Sequence, residues 1–353
     1  MDCDYSPIFQ SKTKESDIYD EFVEFSNLQY ATLDYDPFHP MLVKLQENLE
    51  EEESLWMSTL YMAFYNIGSC YFAFLRNPKP LSELDDVLGK LPIGLQRRNL
   101  RGGEVIKYFH RFRKKVKPYG SIKNFLTHNF TGSKEKDWFI LLKNLNSVWG
   151  NGRWASFTLG EIFQKVNKLP VLPTDIMNEN SSGPRTGLEL LMGKAKGKTK
   201  KEKLADLKAK ADALFRMVRP RIKTNIFYLP KNHYDYGMME SQLCDFNSMT
   251  KGLYYTGRDI DRDLERIIRT LRVAADVGID IRPAKRLWEI RREVFPSELL
   301  GELHGWYKRH TYAKKFYKNF GIIAKSHKEI RDYLGIWRED RLDDRKKIAR
   351  GLW

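Results

Sequence analysis

Trp149-Gly-Asn-Gly-Arg-Trp-Ala-Ser-Phe-Thr-Leu-Gly-Glu-Ile-Phe163, followed by Asn167-Lys-Leu-Pro-Val-Leu-Pro-Thr-Asp175, decides how this chain reads. Gly150 and Gly152 stand at the mouth of an amphipathic run, and Asp175 follows one helix length and a short loop later. A Gly-x-Gly turn entering a helix exposes backbone N–H groups at the positive end of the helix dipole, and together they hold a phosphate. A carboxylate further along can then work on whatever that phosphate anchors. Taken singly, the two glycines also suit a tight helix–helix turn, and Asp175 also suits an N-cap.

The segments around this stretch have helical periodicity. After Ser54, a candidate N-cap, Trp56, Leu60, Ala63, Phe64 and Ile67 recur at helical spacing. Helices are expected over 81–88, 104–115, 121–130, 137–148, 204–218, 260–277 and 282–295, with a basic helical tail from Glu302. The stretch 232–257 reads as irregular and aromatic, and only 224–229 has a strand-like pattern. The chain is therefore expected to be all-α. The apolar run 55–75 is interrupted by Asn66 and Ser69, which predicts a buried helix pair and not a membrane span. The expected division is an acidic N-terminal cover at 1–53 and a helical core at 54–192. An exposed Lys/Gly-rich connector at 193–203 then leads to a helical C-terminal part at 204–353.

Charge narrows the function classes. The net charge is +15, yet residues 1–55 hold 14 Asp/Glu against 3 Lys/Arg, which leaves +26 for the rest. A body that basic favours a polyanion, with nucleic acid the first candidate and solvated lysines the plain alternative. Cys3, Cys70 and Cys244 are too few for a disulfide framework or an iron–sulfur cluster and fit a reducing cytoplasm. The start, Met-Asp-Cys-Asp-Tyr, lacks the basic and apolar regions of a signal peptide. The seven histidines are dispersed without metal-ligand spacing, so no metal site is expected from them.

Several constellations suit anion and base chemistry. Arg97, Arg98 and Arg101 follow a Pro-Ile-Gly turn, and arginine forks at such spacing converge on phosphate or pyrophosphate when they are not simply solvated. Arg185 ends Ser181-Ser-Gly-Pro-Arg, a loop built to present one guanidinium. Downstream of Leu243-Cys-Asp-Phe, Arg258-Asp-Ile-Asp-Arg-Asp263 crowds five charges into six positions at a helix start. Dipole stabilisation accounts for one or two of those acids. The D-x-D-x-D alternation lacks the glycine and distal glutamate of a calcium loop. Tyr254 and Tyr255 suit base stacking or the core.

The glycine turn and Asp175 resemble the hairpin and catalytic aspartate of the helix-hairpin-helix DNA glycosylases. Trp154, however, stands where lyase members carry the lysine that forms a Schiff base, so lyase chemistry there is not expected. The segments 56–65, 94–101, 150–161, 181–188 and 252–262 occur in one order that resembles the phage alpha-glutamyl/putrescinyl thymine pyrophosphorylases. These are also termed amino acid:DNA transferases, and the resemblance spans roughly 54–265.

That resemblance implies a glycosylase-like helical core with added C-terminal helices, acting in the bacterial host cytoplasm. Its substrate would be double-stranded DNA in which 5-hydroxymethyluracil has been diphosphorylated by a separate kinase. An amino acid or polyamine would displace the diphosphate and form a C–N bond. Under it, Arg97, Arg98, Arg101 and Arg185 bind diphosphate, and Gly150, Gly152, Arg153 and Trp154 bind DNA. Asp175, Asp259 and Asp261 are the candidate bases, and Tyr254 and Tyr255 wall the base pocket. Mg²⁺ bridging carboxylate and diphosphate oxygens is the cofactor it leaves open. A glycosylase excising a modified pyrimidine and a non-catalytic phage DNA-binding protein are the alternatives.

Overall fold

The computed structural model describes residues 18–94, 97, 100, 103–176, 181–250, 254 and 257–295, with Asp261 described by its backbone alone. Among these residues there is no strand, and the all-α expectation holds. The α-helices are α1 (Ile18–Thr32), α2 (Phe38–Leu45), α3 (Glu51–Phe64), α4 (Ile67–Arg76), α5 (Glu104–Val116), α6 (Ile122–Thr127) and α7 (Lys134–Asn146). They continue with α8 (Arg153–Lys165), α9 (Ser182–Met192), α10 (Lys200–Val218), α11 (Tyr236–Thr250), α12 (Arg258–Asp276) and α13 (Lys285–Val294). The stretch 224–229, the one candidate strand, is turn and coil. The expected tail from Glu302 lies outside the described residues.

The described residues form two compact units, neither continuous in sequence. One takes 18–37, 173–262 and Phe295, the other 38–172 and 263–294, so α12 opens in the first and continues in the second.

In the second unit α3 is the central rod. Every residue from Leu55 to Phe64 is buried, and α4, α5, α6 and α8 pack on it. A helix apolar on all sides needs neighbours on all sides. It starts at Glu51, three residues before Ser54, because Glu50 and Glu53 make a capping box and three acids suit the positive helix end. Asn66 interrupts the apolar run because it is the corner: its side chain accepts the Gly68 and Ser69 N–H groups and donates to Thr270 Oγ1 at 3.0 Å. The run is thus a buried helix pair, and no described helix is long and apolar enough to cross a membrane. The segment expected as a helix at 81–88 is instead coil followed by a 3₁₀ turn, Asp86–Lys90, that Asp85 caps through the Val87 N–H.

In the first unit α9 and α1 pack on α11, and α10 packs on α9. Here the irregular reading of 232–257 is wrong, because Tyr236–Thr250 is a helix. Its buried residues include Met238, Met239, Gln242, Leu243, Phe246 and Asn247, and it lacks the clean polar stripe that reveals a surface helix. Contact with α9 is backbone on backbone: a Cβ at Gly187 would lie 2.1 Å from the Leu243 carbonyl oxygen. The connector after α9 is exposed as expected, but it is tied to α10. Asp206 accepts the Lys196 N–H at 2.8 Å, and Lys210 Nζ donates to the carbonyls of Gly193 and Lys194. Thr199 and Glu202 form a capping box, so α10 begins at Lys200.

Candidate active site

The glycine turn lies in the second unit, joining α7 to α8. Gly150 has φ +90°, a left-handed conformation open to glycine, and a Cβ there would meet Tyr108 and Leu100 at 2.9 and 3.0 Å. Gly152 is the N-cap of α8 and a Cβ on it would meet open space, so its side of the turn is free for a ligand to approach. Trp149 and Trp154 flank the turn, both about two-fifths exposed. Trp154 rests edge-on against Tyr65 at 5.0 Å, and Lys107 Nζ sits 4.4 Å over the Trp149 ring. Arg153 is the first residue of α8. A helix start between two exposed indoles and a lysine forms a surface that suits a nucleic-acid strand.

Arg97 belongs to this turn from the inside. It is buried, donates from Nη1 to the Gly150 carbonyl at 2.9 Å, and lies over the Tyr108 ring. Burial lowers the affinity of its guanidinium for the proton. Its visible work is to hold the glycine turn in shape. Arg98 and Arg101, expected to join it on a diphosphate, lie outside the described residues.

The first unit contains a cluster of carboxylates around a buried arginine. Arg258, at the start of α12, donates from Nη2 to Asp245 Oδ1 at 3.1 Å and to Asp259 Oδ2 at 2.9 Å. Its Nε reaches Asp259 Oδ1 at 3.2 Å, and its guanidinium carbon lies 4.3 Å over the Tyr254 ring. Arg262 Nη1 donates to Asp259 Oδ1 at 2.8 Å. On the α1 side, Gln29 Nε2 donates to Asp245 Oδ2 at 3.0 Å and to the Tyr254 hydroxyl at 3.1 Å. Asp34 lies in the loop after α1. It accepts the Tyr254 hydroxyl, the Gly257 N–H at 2.8 Å, and the Asp259 and Ile260 N–H groups, both at 3.1 Å.

The geometry separates the three carboxylates electrically. Burial alone would raise the Asp259 carboxyl, but Arg258 and Arg262 outweigh it and hold it below the usual carboxylate range. Asp245 has Arg258 as its closest cation, and burial pushes its carboxyl up to about 6. Burial and the neighbouring Asp259 also push Asp34 up, against the four donors that favour its charged form. Two carboxylates set apart in this way suit a fixed counter-charge and a proton acceptor. The side chains of Asp245, Asp259 and Arg262 keep 15%, 20% and 21% of their surface, so the cluster is partly exposed.

The other site candidates are dispersed. Tyr254 is buried within this cluster, hydrogen-bonded and stacked, and does not wall an open pocket. Tyr255 and the side chain of Asp261 lie outside the described residues. Asp175 is near the start of α11, where burial, Asp212 and then Asp175 all push the Tyr236 hydroxyl up. Asp245 is nine residues further along that helix, roughly 13 Å at 1.5 Å per residue. Arg185 is in the first turns of α9, partly exposed, while Ser181 donates to Glu240 of α11 at 3.2 Å. Asp34, Gln29 and Asp245 were not singled out in the sequence. Only Asp245, a lone acid inside the apolar Leu243–Phe246 stretch, carried a local signal.

No group of three His, Cys, Asp or Glu among the described residues is arranged to hold an ion, and Asp245 and Asp259 already face the cations Arg258 and Arg262.

Compared with known proteins, residues 96–253 match the family model described as amino acid:DNA transferase. No curated protein matches the chain. The matched segment contains Arg97, the glycine turn, Asp175, Arg185 and Asp245, and ends just before Tyr254 and Asp259.

Proposed function

We propose that this chain, whose residues 96–253 match the family model described as amino acid:DNA transferase, transfers the amine of an amino acid or polyamine onto 5-diphosphomethyl-uracil in phage DNA. The amine nitrogen bonds to the exocyclic methylene carbon. The carbon–oxygen bond to the diphosphate breaks, and its electron pair leaves with pyrophosphate. The observation that carries this reading is the Arg258 cluster, which puts a fixed negative charge and a second, more easily protonated carboxylate at one partly open place.

Each requirement of the reaction has a candidate in this chain. An amine reaches the site as ammonium and must lose a proton before it can attack. A leaving diphosphate needs cations, for which Arg262 and Arg185 are the described candidates in the first unit, with Arg98 and Arg101 also eligible. The Gly150–Arg153 turn holds the DNA backbone through its amides, and Trp154 stacks on an exposed base. An extruded thymine derivative is the form in which the methylene can be reached. Mg²⁺ arriving on the diphosphate is compatible with this scheme, and no step is assigned to it.

The test uses DNA containing 5-diphosphomethyl-uracil, incubated with the protein and a mixture of amino acids and polyamines, then digested to nucleosides and weighed. A new amine-bearing thymidine is the expected product. Free base with abasic sites would establish a glycosylase, and unchanged nucleosides on every modified DNA would leave a DNA-binding protein.

A further inference from the structure

We propose that Asp245 is the group that takes the proton from the amine substrate, and that Gln29 holds it in place for that role. This rests on the transfer reading above. The geometry begins with Gln29, which is wholly buried. One end of its amide donates to Asp245 and to Tyr254, while its other end, Oε1, has no donor. A buried acceptor without a donor is costly, and this amide keeps that orientation because its NH₂ end serves Asp245 and Tyr254. The neighbouring Asp245 is also an acceptor, and its surface is partly open. The exposed edge of Asp245 is where a primary ammonium can reach the cluster, while Gln29 holds the carboxylate from the buried side.

The surrounding charges favour Asp245 over Asp259 for the proton. The groups facing Asp245 are Gln29 from α1, Arg258, Asp259 and Arg262 from α12, Tyr254, and Cys244 beside it on α11. Burial and nearby acids push the Cys244 thiol up to about 12, so it remains neutral. Asp259 is engaged by two guanidinium groups and held ionised, which makes it a weak base. Asp245 shares only one arginine. Its carboxylate accepts one proton from the ammonium, the freed nitrogen lone pair bonds to the methylene carbon, and the diphosphate departs with the electron pair of the broken bond. The ammonium formed on the product releases its extra proton to solvent.

The experiment compares two nucleophiles. Asp245→Asn is assayed with the amino acid the wild type uses and with methoxyamine, which is already unprotonated at neutral pH. The expected result is a loss of about 100-fold or more with the amino acid and a much smaller loss with methoxyamine, at unchanged DNA affinity. Asp245→Glu recovers part of the amino-acid rate. Gln29→Met, which removes a donor favouring the charged carboxylate, moves the midpoint of the pH–rate profile upward. Near-wild-type transfer of the amino acid by Asp245→Asn, or equal losses with both nucleophiles, overturns the assignment while the transfer reading stands. A wild type that transfers neither nucleophile overturns the transfer reading, and this assignment with it.

Discussion

Asp34 Oδ1 accepts the backbone N–H of Asp259 at 3.1 Å across 225 positions of sequence, so the loop after α1 caps the helix that presents Arg258, Asp259 and Arg262. The first N–H groups of a helix have no partner inside it, and a carboxylate there satisfies them while matching the dipole. Most caps are local. This one makes the N-terminal segment part of the candidate site, although it read in sequence as an acidic cover.

Replacing Asp34 therefore has two separable effects. Asp34→Ala orphans the Gly257, Asp259 and Ile260 N–H groups and the Tyr254 hydroxyl together. The expected loss is about 3 kcal/mol in urea unfolding, above the usual cost of a lost cap because four donors lose one acceptor. Asp34→Asn keeps one carbonyl oxygen and loses roughly half of that. Asp34→Ala also lowers transfer more than DNA binding, which filter binding and a product assay resolve.

Asp245 and Asp259 predict opposite responses of stability to pH. Asp245 has a raised carboxyl in the folded state, so its contribution is fully present below the unfolded value of about 4 and is lost as pH rises through about 6. Asp259 is depressed, so its contribution is present above about 4 and is lost as pH falls below that value. Denaturation midpoints measured from pH 3 to pH 8 read both. Asp245→Asn flattens the fall between pH 4 and pH 6. Asp259→Asn leaves Arg258 and Arg262 under-compensated and costs about 1–3 kcal/mol at pH 7, between the values for exposed and fully buried pairs because Asp259 is a fifth exposed. A flat profile in the wild type would rule out both assignments.

What was legible in the sequence follows from how local the physics is. The Gly150 turn was readable because a left-handed residue and a helix start are encoded within four positions. The helix over Arg258–Asp276 was readable from its own strongly amphipathic period. Helix α11 was not, because its Met, Gln and Asn side chains are buried by partners distant in sequence and show no period of their own. Asp34 was not either, since nothing at position 34 announces donors at 254–260. Arg97 was legible as an arginine beside a turn, but its target is the Gly150 carbonyl, a contact across 53 positions that composition cannot specify.

The two turn glycines separate folding from binding. Gly150→Ala puts a β-carbon in a left-handed conformation and against Tyr108 and Leu100, with an expected cost of about 2–4 kcal/mol from strain plus overpacking. Gly152→Ala meets open space at a normal φ of −74° and changes stability by less than about 0.5 kcal/mol. If the helix-start amides hold a DNA phosphate, the added methyl weakens DNA affinity while leaving the thermal melt in place. Equal melts for the two variants would overturn the account of Gly150.

Trp154 allows a sharper test, because it is two-fifths exposed and its aromatic partner among the described residues is Tyr65. Its indole keeps 41% of its surface and touches Tyr65 edge-on. An edge-to-face pair is worth about 0.5–1.5 kcal/mol beyond the area it buries, so Trp154→Ala lowers unfolding stability by that and the lost burial together. Base stacking on an indole is worth about 1–3 kcal/mol, and its loss weakens single-strand or flipped-base affinity about 10-fold. Stacking is not a phosphate contact, so the dependence of affinity on salt keeps the wild-type slope. Trp154→Phe restores most of the affinity. A Trp154→Ala variant that binds DNA as tightly as the wild type, at every salt concentration, removes Trp154 from the DNA surface and leaves it a packing residue beside Tyr65.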